Sequence, residues 1–264
     1  SVIDAMVKVY SSSNANTHGQ FVTSRETDVL IDHAREQVAA LLGAEGPHTI
    51  SFGANMTSLN FVLANAISRS LQPGDEILIT QLDHEANRGP WLQQRRHGIV
   101  VREVLLEEDG SLNYADLEKK ISEKTRVIAI GLASNIFGTV NEIDRVRQLA
   151  YEVGALLIVD GVHYVPHLLT DVREIDCDFL LCSAYKFYGP HVGILYSRPG
   201  ALDRLDTDRL RVQTQNAPYR IERGTLNHAA LAGVSAAVDF IASFGEGTTL
   251  REKIADGMAH IQKY

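Results

Sequence analysis

An α/β domain built on a mostly parallel sheet is predicted by two patterns in this 264-residue chain. Six short apolar runs have the length of buried strands and are bounded by turn residues: Glu76 to Thr80, Ile99 to Leu105, Val127 to Leu132, Ala155 to Asp160, Phe179 to Cys182 and Val192 to Tyr196. Segments of helical period, such as Asn141 to Val153, separate several of them, and strands covered on both faces read as continuously apolar rather than alternating. No internal repeat and no linker-like stretch interrupts this, so the chain reads as one domain with three α/β/α layers.

Taken in order, the first helix signal is Thr23-x-x-Glu26, a capping box that opens a helix with Val29, Ala34, Val38, Leu41 and Leu42 on one stripe and Gly43 as its stop. A second helix carries Leu59, Val62, Leu63, Ala66 and Ile67 and ends before Pro73-Gly74. After the strand-rich middle, Asn227 to Phe244 forms a helix with Leu231, Val234, Val238 and Ile241 inward, packed on the sheet or leading to a second lobe. The last helix signal, Arg251 to Tyr264, reads as cut off without a cap, so a C-terminal small domain is expected beyond residues 1–264.

Composition narrows the function classes. Hydrophobic residues make up 45% and charged residues 22%, which excludes a disordered or fibrous chain. A formal net charge of −8 argues against a broad phosphate-backbone footprint, so no nucleic acid partner is expected. No apolar run approaches the length that spans a bilayer, and the first residues lack a signal pattern, so no membrane partner and a cytoplasmic address are expected. The two cysteines, Cys177 and Cys182, stand an odd number of residues apart, which places them on opposite faces if their run is a strand and forbids a bridge between them.

Ligands of α/β sheets collect where the strands end, so the residues after each apolar run carry the chemistry. These are Thr80 to Asn87, Ala133 to Thr139, Asp160 to His163 and Ser183 to Pro190, joined by Gly53-Ala-Asn-Met-Thr57 at a helix start, where free N–H groups receive anions. Lys186, after a strand and before Gly-Pro, is a candidate amine nucleophile whose pKa partial burial lowers; alone it also reads as a surface lysine. Asp160 ends the most apolar strand and needs a cationic or donor partner, which a pyridinium nitrogen, a salt bridge or a helix cap supplies. His163-x-x-x-His167 has metal-ligand spacing, but Pro166 interrupts a helical face, and no metal is proposed. No Gly-x-Gly-x-x-Gly turn supports a dinucleotide fold.

The ordered set Asn14-Ala-Asn-Thr-His18, Gly53-Ala-Asn55, Asp83-His-Glu-Ala-Asn87, Ser134-Asn-Ile-Phe-Gly-Thr139, Val159-Asp-Gly161, Ser183-x-x-Lys-x-Tyr-Gly-Pro190 and Glu222-Arg-Gly-Thr225 resembles the large domain of fold-type I pyridoxal-phosphate enzymes. The resemblance is to the class V aminotransferase and cysteine desulfurase group, selenocysteine lyases included, and it covers nearly the whole chain.

It implies pyridoxal 5′-phosphate as cofactor and a small amino acid as substrate. Position by position, Lys186 resembles the lysine that forms an aldimine with the cofactor, Asp160 the carboxylate at the ring nitrogen, and His84 the imidazole stacked on the ring. Asn135 matches an asparagine near the ring hydroxyl, and His163 stands where desulfurases usually carry a glutamine. Asn55, Ser183 and Tyr185 match phosphate ligands. Asn55 replaces the usual threonine, and Tyr185 the histidine that often precedes the lysine. Thr225 resembles a residue donated by the second subunit of a homodimer. Thr57 and Ser58 read as ordinary helix-start residues.

The implied activity is cysteine desulfurase or selenocysteine lyase. A class V aminotransferase, an epimerase-like relative and a non-catalytic cofactor-binding fragment are the alternatives. The family's cysteine nucleophile and substrate-carboxylate arginine lie on its C-terminal lobe, and neither Cys177 nor Cys182 matches that nucleophile.

Overall fold

The computed structural model describes residues 1–264. Helix α1 (Val2–Lys8) is opened by a capping box in which Ser1 and Asp4 satisfy each other's backbone N–H groups. Helix α2 (Val22–Leu42) starts one residue ahead of Thr23 with no side-chain cap, so the expected Thr23–Glu26 box does not form. The hydroxyls of its first turns tie down the preceding segment instead: Ser24 Oγ donates to Asn16 O at 2.6 Å and accepts from Gly19 N at 2.7 Å, and Thr27 Oγ1 donates to Ala15 O at 3.1 Å. The stripe expected on α2 is also out of phase at one point. Val29 is 68% exposed, and Ile31 takes the inward position with Ala34, Val38, Leu41 and Leu42. Gly43 closes the helix at φ 66°, a left-handed conformation that favours glycine.

Strand β1 (Ile50–Gly53) leads into α3 (Met56–Ser68); β2 (Glu76–Thr80) into α4 (Glu85–Leu92); β3 (Val100–Val104) into α5 (Tyr114–Lys120); and β4 (Thr125–Gly131) into α6 (Ile143–Val153). Then come β5 (Leu156–Asp160), the short α7 (Val172–Ile175), β6 (Phe179–Ser183), β7 (Gly193–Ser197), α8 (His228–Ala242) and α9 (Leu250–Lys263). The seven strands form one sheet in the order β1-β7-β6-β5-β4-β2-β3. Strand β7 is antiparallel to both neighbours, and the other pairings are parallel.

Both faces of the sheet are covered, which explains the apolar runs. In β4, Val127 and Ala129 enter the cluster on the α3/α4 side, while Ile128 and Ile130 enter the larger cluster with α2, α6 and α8. Helix α8 points Leu231, Val234, Val238 and Ile241 into that larger cluster and so belongs to the layer covering the sheet. The cysteines depart from their expected arrangement. Cys177 precedes β6, so the strand alternation does not apply to it, and both thiols enter the same cluster as buried free cysteines.

The topology collects one set of residues at one edge. The parallel strands β2, β4, β5 and β6 end there on Thr80, Gly131, Asp160 and Ser183. Because β7 runs the other way, it begins there at Gly193, and Gly53 at the end of β1 is its partner in register. Gly193 has a steric reason: a Cβ there would stand 2.2 Å from Asn55 C and 2.4 Å from Asn55 O, so only glycine lets the start of α3 approach.

Candidate active site

A cleft of about 740 Å³, open mouth included, lies at this edge, where the strands of α/β sheets present their ligands. Its floor is built by strand ends and its walls by the first turns that follow them. Asp160 is 9% exposed, and its Oδ1 accepts the Val162 N–H at 2.9 Å. Its other oxygen has no hydrogen-bond partner in the protein, and no cationic side chain pairs with it. Burial, with the negative charge of Asp83 behind it, pushes the Asp160 carboxyl up to about 7. Lys186 is the only lysine or arginine lining the cleft.

Asp83 is equally buried and better satisfied. Its Oδ2 accepts from Thr80 N at 3.1 Å and Thr80 Oγ1 at 2.8 Å, and its Oδ1 from Gly131 N at 2.5 Å, across two strands. Burial pushes it up to about 6, opposed by these donors. Next in sequence, His84 caps α4: its Nδ1 accepts the Ala86 N–H at 3.0 Å, which leaves the ring proton on Nε2.

Lys186 sits on the one-turn 3-10 helix Ala184–Phe187 that follows β6. Phe187, fully buried, anchors that turn, while Lys186 itself is exposed at the cleft. The partial burial expected of this lysine is therefore not met, because the turn carries its stem outward at the cleft mouth. Its Nζ lies 5.2 Å from the centroid of the Tyr185 ring, and Tyr185 stacks on His191 at 4.9 Å. His163 lies edge-on to His167 at 5.1 Å, and its pKa is lowered by burial first and then by the positive charge of His167 and Lys186.

Residues 1–262 match the family model for class-V aminotransferases. The chain belongs to the aminotransferase class-V family. It is similar to a cysteine desulfurase of Pectobacterium atrosepticum, with 33% identity over 261 residues, 93% of this chain and 64% of that protein. A cysteine desulfurase of Serratia proteamaculans is 35% identical over 261 residues, 92% of this chain and 64% of that protein. The class-V chain thus spans 64% of the length of either relative. Among solved structures, the cysteine desulfurase CsdA of Escherichia coli superposes with a TM-score of 0.83 at 30% identity, covering 95% of this chain and 66% of that one. A cysteine desulfurase of Thermococcus onnurineus, at 24% identity and a TM-score of 0.86, shares the fold.

Of the residues singled out from the class-V motifs, His84, Asn135, Asp160, His163, Ser183, Tyr185 and Lys186 line the one cleft. Asn135 is carried on a loop tied back by Asn141, whose Nδ2 donates to Gly131 O at 2.7 Å. Two residues stand elsewhere. Asn55 caps α3, its Oδ1 accepting from Ser58 N at 2.8 Å and Ser58 Oγ at 2.9 Å, while the next two residues, Met56 and Thr57, line the cleft. Thr225 is exposed on a separate depression with Asn14, Asn16 and His228. Thr57, in the first turn of α3 as expected, also lines the cleft, which its position after the Gly53-Ala-Asn55 motif could have signalled. Asp83 lies within the Asp83-His-Glu-Ala-Asn87 motif, but no spacing rule reveals that its carboxylate bridges two strand ends. Neither cysteine lines the cleft, and burial pushes both thiols up.

Proposed function

We propose that residues 1–264 form the pyridoxal-phosphate-binding large domain of a cysteine desulfurase-like enzyme acting on a small amino acid. The observation that carries this reading is the joint lining of one cleft by the unpaired Asp160 carboxylate and the Lys186 amine. A buried carboxylate that lacks a cation within the protein fits a group that brings one, and a protonated pyridine ring does so.

The donor set fits the rest of the cofactor. Asp160 would hold the ring nitrogen, His84 the ring face, and Asn135 with His163 the ring hydroxyl. Ser183, Tyr185 and the unpaired N–H groups of Met56 and Thr57 at the start of α3 would hold the phosphate. Lys186 would bond to the aldehyde carbon. When bound, the cofactor supplies an aldehyde that captures the substrate amine and a ring that withdraws electrons from its Cα.

The chain's own residues do the remaining work. Lys186, on its short turn, is the amine that can take or return a proton beside the substrate Cα. His163, kept neutral by burial and its positive neighbours, offers a hydrogen bond without adding charge. His84 presents its ring with Nδ1 occupied by the helix cap, which fixes its orientation. Neither thiol of this chain stands at the cleft, so the sulfur-accepting nucleophile of a desulfurase would come from outside residues 1–264.

A homodimer in which Thr225 reaches the partner's phosphate is part of the proposal, supported by the exposure of Thr225 away from its own cleft. Cytoplasmic residence is supported by two free, buried thiols. No helix is long and apolar enough to cross a membrane.

Reconstitution with pyridoxal 5′-phosphate tests the reading. The protein should turn yellow, bleach with hydroxylamine and stay colourless as Lys186→Ala. Sulfide and alanine released from cysteine by the full-length enzyme support the desulfurase, whereas keto-acid formation supports the aminotransferase. Protein that cannot be coloured overturns the cofactor assignment.

A further inference from the structure

Two buried acidic residues flank Gly131 at the floor of the cleft, and only one of them has a place in the reading above. Asp83 reaches from the end of β2 to the end of β4, where Gly131 N donates to its Oδ1. Gly131 in turn is the register partner of Asp160 on β5. A Cβ on Gly131 would stand 2.9 Å from Asp83 Oδ1 and 3.9 Å from Asp160 O, so a single glycine separates the two acidic residues. Neither carboxylate forms an ion pair with any side chain of the protein.

We propose that Asp83 is a positioning residue for Asp160: it clamps two strand ends beside Asp160 and sets a second negative charge near it, so that in the free cleft Asp160 keeps a proton that a seated cation displaces.

The physical ground is that two adjacent buried carboxylates without a cation cannot both stay ionised. Asp83 has three donors and Asp160 one, so the proton resides on Asp160. The higher value reached by the Asp160 carboxyl agrees with that division. The titratable or charged groups around the pair are His84 from the turn before α4, His163 from the turn after β5, and Cys182, Tyr185 and Lys186 from β6 and the turn beyond it. The first turn of α3 and the loop after β4 contribute Met56, Thr57, Ala133 and Asn135 and no charge. The displacing cation, a ring nitrogen, rests on the pyridoxal-phosphate reading; the coupling between the two acids does not.

Carbon-13 NMR of the side-chain carboxyls in the cofactor-free protein tests it, with Asp160 assigned through Asp160→Asn. In Asp83→Asn the amide oxygen still accepts the Gly131 N–H while the charge is gone, and the Asp160 midpoint should fall by about one pH unit, a tenfold loss of proton affinity. Coupling is reciprocal, so Asp160→Asn should lower the Asp83 midpoint by the same amount, which keeps the test decisive if Asp83→Asn fails to fold. A midpoint that stays put in the folded variant overturns the proposal. Titration with pyridoxal 5′-phosphate separates the two readings: a wild-type protein that couples the acids but takes up no cofactor refutes the cofactor and leaves the carboxylate pair standing.

Discussion

Arg35 and Glu222 meet in a buried ion pair across 187 residues of sequence, with Nη1 on Oε1 and Nη2 on Oε2, each at 2.8 Å. The pair fastens the segment before α8 to β1: Arg35 Nη1 also donates to Ile50 O, and Glu222 Oε1 accepts the Phe52 N–H at 2.7 Å. The guanidinium lies 5.2 Å from the Phe52 ring centroid and 5.0 Å from that of Tyr219. Since β1 delivers the start of α3 to the cleft, this pair sits behind the site without touching it.

Arg35→Ala strands a buried carboxylate and should destabilise the fold by about 3–5 kcal/mol in urea unfolding. Arg35→Met combined with Glu222→Gln should recover part of that loss, because the uncompensated charge is gone. A single variant within about 0.5 kcal/mol of wild type would contradict the role given to the pair.

The acid pair gives the cofactor-free protein a pH signature. Both carboxyls lie above their unfolded values, Asp83 at about 6 and Asp160 at about 7, so the folded state binds more protons than the unfolded one. Their contribution to stability is complete below about pH 4 and is lost as pH rises through 7. The difference in unfolding free energy between wild type and Asp160→Asn should therefore decline over this window by a few kcal/mol. Taking the difference removes His163 and His228, whose lowered pKa values act in the opposite direction. A flat or rising difference would contradict the assignment.

His84 has two separable duties. His84→Ala removes the cap of α4 and should cost about 1 kcal/mol in thermal unfolding of the free protein. His84→Asn restores a capping oxygen and should recover that stability, while its cofactor affinity stays as low as in His84→Ala. Equal cofactor affinity in His84→Asn and wild type would remove the imidazole from the site.

Gly193→Ala places a methyl group against the Asn55 backbone, where no flexible side chain can yield. A loss of about 1–3 kcal/mol or more is expected, with cofactor uptake falling alongside it as the start of α3 is pushed from the cleft. Wild-type stability and uptake in this variant would contradict the close approach.

Much of this architecture is legible in the residues themselves, and the failures have physical causes. The parallel strands announce themselves because burial on both faces demands unbroken apolar runs, and the polar residues after them mark the edge where the cleft forms. Strand β1 is less visible: four residues, Ile50–Gly53, joined to the sheet through the antiparallel β7. The capping box at Thr23 fails because a competing set of acceptors, Asn16 O and Ala15 O, claims the hydroxyls of the first turns of α2. Asp83 escapes notice for a related reason, since its partners Thr80 and Gly131 lie on two strands whose adjacency only the folded sheet reveals. Lys186 is marked by its motif, but its exposure depends on how Phe187 anchors the turn.

Borohydride reduction of the protein mixed with pyridoxal 5′-phosphate, followed by peptide mass spectrometry, tests the central claim most directly. The account predicts a stoichiometric phosphopyridoxyl adduct on the peptide bearing Lys186, and its loss when Asp160→Asn weakens the hold on the ring. An adduct scattered over surface lysines, or one unaffected by the loss of either cleft residue, would contradict it.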